Sequence, residues 1–463
     1  MSQPLSRLRA LAALLVVCLG TLSAPLDSAV NIAFPAITQA FGLPAADIRW
    51  VIIAYVLTYA SLTLVFGKVG DLFGYRRVFR TGLMIAAAGF LACSLATRFE
   101  LLLAGRILQG IGIALTWSCA PALATSLYPE SERTRVLGFY SGAIACGAAL
   151  GPLAGGVLVE MYGWPVVFWA RLPLVAAALA LAWMIPATPR TSDGRSFDWT
   201  GALLLVTWLS AFLLAAAQPA TPHPELVTAG LAVVGAIAFA LFLGHETRHP
   251  DPIIRPQLFR DGGFLGLNAA SVAVNLAGFA VMLLVPFHLA RTAGLGAGVG
   301  GLVLGSNAVG IVLGSWVSGR LSERVGHARL MFAGCLVSAA GLALVSIWDR
   351  GTTPLVMAAC LGAQGFGLGL FQVAYGDRVL ATLPRADRGV AGSLTLVTRT
   401  IGVVGAAASL AILSRQFEAA ATEVGHPDAV LAAFQATFRA VSIGLGFGLL
   451  AVLARAALAA MRR

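Results

Sequence analysis

The chain has 463 residues, of which 59% are hydrophobic and only 11% charged, and it carries a formal net charge of +11. A soluble domain carries about 25% charged residues, so the composition excludes an ordinary water-soluble globule and makes lipid the main solvent. Backbone groups in lipid must pair internally, which leaves helices or a closed barrel; apolar runs of roughly 20 residues without period-two alternation exclude the barrel.

The first apolar run, 9–32, follows Arg7 and Arg9 and has the outline of a signal sequence, but no small-residue cleavage site follows it. It is expected to stay as the first span, with Asp27 and Asn31 near its end. Thirteen further spans are predicted at 50–67, 78–96, 101–126, 136–159, 166–186, 199–217, 226–244, 264–288, 297–318, 329–347, 354–375, 391–412 and 437–457. The connections are short, and even the longest (187–198, 245–263, 376–390 and 413–436) leave no room for a soluble domain. Span 8 is aliphatic without an ionisable interior and is expected to face lipid. The six cysteines all fall in apolar runs without a CxxC pair and read as small packing residues. No P-loop appears, and no HExxH or GxSxG occurs in a suitable context. No catalytic residue, metal, cofactor or enzyme activity is therefore expected.

With the N-terminus inside, 22 of the 31 basic residues fall on the cytoplasmic side and six outside, with Arg106, Arg171 and Arg399 within spans. This asymmetry is the positive-inside signal. It places both termini in the cytoplasm and accounts for the positive charge without a nucleic-acid partner.

Residues 67–77 read GKVGDLFGYRR, and 252 positions further on residues 319–329 read GRLSERVGHAR. Gly67 and Gly74 recur as Gly319 and Gly326, Asp71 as Glu323, and Arg77 as Arg329. The chain therefore contains a degenerate duplication. Eight spans separate the two copies, where a six-plus-six duplication would give six, so two extra spans lie between the halves. The expected domains are a six-helix bundle over 1–186, a linker with two additional spans over 187–263, and a second six-helix bundle over 264–463.

These residues resemble the major facilitator superfamily, and more closely its fourteen-span drug:proton antiporter family, over nearly the whole chain. GKVGDLFGYRR is similar to the superfamily signature between spans 2 and 3. AGRILQG (104–110) is similar to the span-4 motif, GAALGPLAGG (147–156) to the span-5 motif associated with antiporters, LDSAVNIAFPAI (26–37) to the span-1 motif, and FDWTG (197–201) to the entry to span 7. The resemblance implies an all-α integral membrane protein with the major facilitator fold, two six-helix bundles plus two central spans.

Asp27 is the most informative residue. An unpaired charge inside a membrane costs several kcal/mol, so an acid there is a functional residue by default. It reads as the proton carrier, or else as a structural acid bonded to backbone at a helix break near Pro25 or Pro35. Arg106 is its expected partner, at similar depth in span 4, and the resemblance implies that this arginine serves proton coupling; the alternative is an arginine capping span-1 carbonyls. The loop residues Gly67, Asp71, Gly74, Arg76 and Arg77 read as a cytoplasmic latch between halves or as a purely topogenic loop. Gly147, Gly151, Pro152, Gly155 and Gly156 allow helices to touch backbone to backbone, as a hinge between halves or as packing. Asn31, Tyr55, Tyr59, Gln109, Trp117, Asn275, Phe279, Asn307 and Gln364 are candidates for lining the cargo path. Two residues depart from the family pattern. Arg171 stands where asparagine is usual and reads as an anion contact or a snorkelling side chain; His288 stands where tyrosine is common and is expected to be solvated at the outer interface.

The expected function is a proton-coupled antiporter, a monomer in the bacterial inner membrane, exporting hydrophobic or amphipathic molecules on the proton gradient alone. Its partners are then the small-molecule cargo, protons and the lipid bilayer. The competing readings are a dedicated exporter of one metabolite, and a membrane scaffold or sensor that transports nothing.

Overall fold

The apolar runs fold as helices in a computed structural model, which describes residues 7–126, 128–129, 132–185, 198–216, 224–249, 262–382, 398, 402 and 428–461. In chain order they are α1 (Arg7–Leu22), α2 (Ala29–Ile32), α3 (Phe34–Phe41), α4 (Arg49–Phe73), α5 (Tyr75–Ser94), α6 (Phe99–Ser126), α7 (Arg133–Tyr162), α8 (Val166–Trp169), α9 (Leu172–Leu181), α10 (Trp199–Ala216), α11 (Pro224–Glu246), α12 (Gly262–Phe287), α13 (Ala297–Val325), α14 (His327–Val345), α15 (Pro354–Thr382) and α16 (Asp428–Met461). No strand occurs among the described residues, and ten stretches are long and apolar enough to cross a membrane. The span expected at 391–412 lies outside the described residues apart from Thr398 and Gly402. The chain divides into two compact units, residues 1–206 and 207–463, with the division inside α10.

The first and sixth spans are broken helices. After α1 the chain makes a single 3₁₀ turn, Pro25–Ser28, before α2 resumes. Pro25 supplies no backbone N–H and fits only the first turn of a helix. The Asp27 N–H instead bonds the Ala24 carbonyl at 3.0 Å. The sixth span breaks between α8 and α9 at Ala170 and Arg171, again just before a proline, Pro173.

The duplication is visible in the backbone. Gly74 joins α4 to α5 at φ +88°, and Gly326 joins α13 to α14 at φ +86°. Each donates its N–H to a carbonyl four residues back, Gly74 to Gly70 at 2.9 Å and Gly326 to Ser322 at 3.1 Å. The repeat continues into helix contacts. A Cβ on Gly89 would lie 2.5 Å from the backbone nitrogen of Gln109; one on Gly341, 252 positions later, would lie 2.7 Å from that of Gln364. Gly112 against Ala86 is matched by Gly367 against Ser338. In each unit, then, glycine lets a pair of helices meet backbone to backbone at corresponding places.

The repeated segment differs from its expected form. Residues 67–73 and 319–325 are not loop but the last turns of α4 and α13, and the turn in each copy is a single glycine. Gly67 and Gly319 therefore lie inside helices, where a Cβ on either would meet nothing within 4 Å. The charges of the motif extend helices past the apolar run instead of interrupting them. α11 has the exposure expected of span 8: Leu226, Val233, Val234, Ile237 and Leu241 are all exposed.

Candidate functional site

Asp27 sits on the 3₁₀ turn that breaks the first span, and three side chains converge on its carboxylate. Arg106 binds it side-on, Nη1 donating to Oδ1 and Nη2 to Oδ2, each at 2.7 Å. Arg171 Nη1 donates to Oδ1 at 2.6 Å and Gln109 Nε2 to the same oxygen at 2.9 Å. Among the described residues Oδ1 thus receives three donors and Oδ2 one.

α6 supplies two of these groups because Arg106 and Gln109, three residues apart, share a helix face. The helix comes close enough because glycines flank them: Gly105 lies against Cys93 of α5 and Gly110 against Tyr55 and Thr58 of α4. Arg106 is anchored from behind, Nε donating to the Val51 carbonyl at 2.9 Å and Nη1 to Gln109 Oε1 at 2.9 Å. The Tyr55 ring lies 4.2 Å from its guanidinium carbon, within cation–π range. At the other break, Arg171 donates Nε to the Val167 carbonyl at 2.8 Å and Nη1 to the Ser23 carbonyl at 3.4 Å. Its guanidinium lies 4.6 Å from the Phe90 ring and 5.4 Å from Phe168, and Phe168 is also 5.8 Å from that of Arg106. Both arginines are buried, whereas the Asp27 side chain keeps 13% of its surface.

The cluster is not neutral. It holds one carboxylate against two guanidinium groups, with a residual charge of +1. Burying a charge without compensation is among the costliest things a protein does. The nitrogens that face the carboxylate offer no lone pair to a metal ion.

The span-5 stripe holds this turn in place. Gly147 of α7 packs on Leu22 and Pro25, Gly151 on Ser28 and Gly155 on Ala29, while Pro152 and Gly156 are buried beside them. Ser28 donates Oγ to the Pro25 and Ala148 carbonyls at 2.9 and 3.2 Å. The closest neighbours of the stripe thus belong to the first span of the same unit, and it seats Asp27.

The cargo-path candidates separate into two groups. Tyr55 and Gln109 belong to the cluster, and Tyr59 extends it, 5.0 Å from Tyr55 and 6.1 Å from Trp117 between ring centroids. Trp117 donates to the Thr21 carbonyl at 3.4 Å, and Asn31 is half-buried on α2. In the second unit Asn307 and Gln364 bind helix to helix, whereas Asn275 bonds within α12. Asn307 donates to Gln364 Oε1 and to the Leu361 carbonyl (3.2 Å), Gln364 to Ser338 Oγ at 3.3 Å, and Asn275 to the Ser271 carbonyl at 2.8 Å. Phe279 is half-buried. Of the latch residues, Arg76 donates Nη2 to the Trp183 carbonyl at 3.2 Å and Arg77 is exposed; the Asp71 side chain lies outside the described residues.

Arg171 and His288 differ from expectation. Arg171 does not snorkel; it is 3% exposed and shares Asp27 with Arg106. The available signal was the arginine itself in an apolar span, but its contact with span 1 was not legible. His288 is not solvated. It is 3% exposed, begins a π-helical turn (His288–Thr292) and stacks on Phe434 with centroids 4.2 Å apart. Among the described residues neither ring nitrogen has a hydrogen-bond partner.

The sequence profile of the Major Facilitator Superfamily matches residues 16–407. The chain is 28% identical to the riboflavin transporter RibZ of Clostridioides difficile (strain 630) over 394 residues, 84% of either chain. It is 30% identical to the methylenomycin A resistance protein of Streptomyces coelicolor (strain ATCC BAA-471 / A3(2) / M145) over 403 residues, 85% of this chain and 84% of the relative. Among solved structures, a POT family transporter in complex with 5-aminolevulinic acid superposes with TM-score 0.71 at 14% identity, covering 96% of this chain and 95% of that one. The fold, the five motifs and these matches agree, and the chain belongs to the major facilitator superfamily.

Proposed function

We propose that the protein is a proton-coupled antiporter of the fourteen-span drug:proton family, exporting hydrophobic or amphipathic small molecules across a bacterial inner membrane as a monomer with both termini inside. One observation carries the reading: the Asp27 carboxylate, at the break of the first span, is held by two arginines from two other spans. A proton bound at Oδ2, which has a single donor among the described residues and acceptor capacity left, neutralises the carboxylate and weakens its hold on both guanidinium groups. Proton binding is then coupled to helix rearrangement, which is the requirement for exchange through a rocking bundle. The drive is substantial, since each charge moved across 100 mV is worth about 2.3 kcal/mol. The antibiotic resistance named in one relative supports export of a small molecule.

A second reading, a carrier dedicated to one metabolite, is favoured by the single vitamin named in another relative. Dye efflux from inverted vesicles under an imposed pH gradient tests both. Asp27→Asn is expected to abolish gradient-driven efflux. Undiminished efflux in this variant would sink the proton-carrier role, and indifference of the wild type to most dyes would select the dedicated carrier.

A further inference from the structure

Arg171 does more than a second partner for Asp27 requires. Asp27 is already neutralised by Arg106, which binds it through two nitrogens and is itself held by Val51 and Gln109. Arg171 adds a whole positive charge to a buried site that holds one acid. Its Nε is taken by Val167 and its Nη1 by Asp27 and Ser23, yet among the described residues Nη2 has no hydrogen-bond partner, although the side chain is 97% buried. The faces of the guanidinium look onto Phe90 and Phe168, and Nη2, enclosed in this conformation, is the nitrogen left for a ligand that enters beside Asp27. Arg171 also stands at the break between α8 and α9, within the membrane-spanning segment. Excess charge and an orphaned donor thus coincide, beside a carboxylate that keeps 13% of its surface open.

We infer that Arg171 is a specificity-determining residue: its free nitrogen receives the single anionic group, a carboxylate, of the transported molecule. The aromatic rings of Tyr55, Tyr59, Phe90, Phe168 and Trp117 around the cluster suit the apolar remainder of such a monoanionic amphiphile. A lipophilic cation is repelled by the same residual charge. The inference rests on the exporter reading only for the direction of movement; binding is testable without any gradient.

The test uses the full-length protein in nanodiscs and three matched probes: 1-pyrenebutyrate, its methyl ester, and a pyrenebutyl trimethylammonium ion. Binding is followed by energy transfer from the protein's tryptophans to pyrene. The wild type is expected to bind the acid at least tenfold more tightly than the ester and to reject the cation. Arg171→Gln is expected to equalise acid and ester and to admit the cation, with an unchanged gel-filtration profile as the sign of an intact fold. Arg171→Lys, which keeps the charge, is expected to retain part of the preference. Chloride titrated against gluconate separates cargo carboxylate from a free halide. Displacement of the acid by chloride in the wild type alone supports a shared anion site, whereas chloride stabilisation without any acid preference overturns the cargo assignment. Equal binding of acid and ester by the wild type, or a preference that survives Arg171→Gln, overturns the inference whatever the transport assay gives.

Discussion

Arg171 Nη1 approaches Asp27 Oδ1 to 2.6 Å, while Arg106 holds both carboxylate oxygens at 2.7 Å. The two contacts are not energetically alike. Removing the carboxylate leaves two buried arginines facing one another, whereas removing Arg171 leaves a neutral bidentate pair. Breaking a buried ion pair by deleting one partner costs about 3–5 kcal/mol. Asp27→Asn is therefore expected to lower the thermal midpoint of the detergent-purified protein markedly, and Arg171→Gln to lower it less. The double variant is expected to recover part of the loss, because the second change removes one of the two uncompensated charges and the repulsion between them. Additive losses in a thermal-shift series would contradict this account.

Gly151 of α7 packs on the turn carrying Asp27. A Cβ there would lie 2.0 Å from Ser28 Oγ and 3.2 Å from the Ala29 nitrogen, so the Ser28 hydroxyl has to leave its place and the turn to give slightly. Gly151→Ala is expected to insert normally but to reduce transport several-fold, and Gly151→Val to abolish it. Gly142, on the same helix with nothing within 4 Å of an added Cβ, provides the control. Gly142→Ala is expected to transport as the wild type does, with expression and transport both measured in vesicles.

Much of this was legible because the periodicities involved are local. Long apolar runs under a lipid constraint admit only helices, and positive φ at Gly74 and Gly326 follows from two glycines in register. The Asp27–Arg106 pair was legible for a different reason: two ionisable residues at similar depth in apolar spans have few ways of being tolerated except each other. What the sequence concealed depends on rotation about helix axes. Whether Arg171 turns toward span 1 or toward lipid is decided by the break between α8 and α9, which a run of apolar residues does not announce. The span-5 glycines could be read as a close contact, but not as a contact with Ser28. His288 was misplaced because depth alone suggests solvent, while Phe434 and Trp348 from distant segments cover it.

His288 gives a test of that last point. Its imidazole is buried against Phe434 and Trp348, and neither ring nitrogen makes a hydrogen bond among the described residues. A buried polar atom without a partner costs about 1–3 kcal/mol. His288→Phe keeps the stack and removes both polar atoms, so it is expected to hold or raise the thermal midpoint. His288→Ala removes the ring as well, and comparable truncations cost about 3 kcal/mol. Destabilisation of His288→Phe as severe as that of His288→Ala would show that the ring nitrogens are bonded in the working protein.

Gly74 and Gly326 separate a turn requirement from a mere repeat. Their φ values of +88° and +86°, with ψ of 127° and 144°, lie where a side chain is strained. Such backbone costs an L-residue on the order of 1–3 kcal/mol. Gly74→Ala and Gly326→Ala are both expected to lower the thermal midpoint, and by similar amounts, because the two turns share one geometry. Gly67 recurs in the motif as faithfully as Gly74, yet it lies within α4 and an added Cβ meets nothing. Alanine is favoured over glycine inside a helix by about 1 kcal/mol, so Gly67→Ala is expected to be neutral or stabilising. If Gly67→Ala proved as damaging to stability as Gly74→Ala, the helical end of α4 would be wrong and the seven residues before Gly74 would belong to a loop after all.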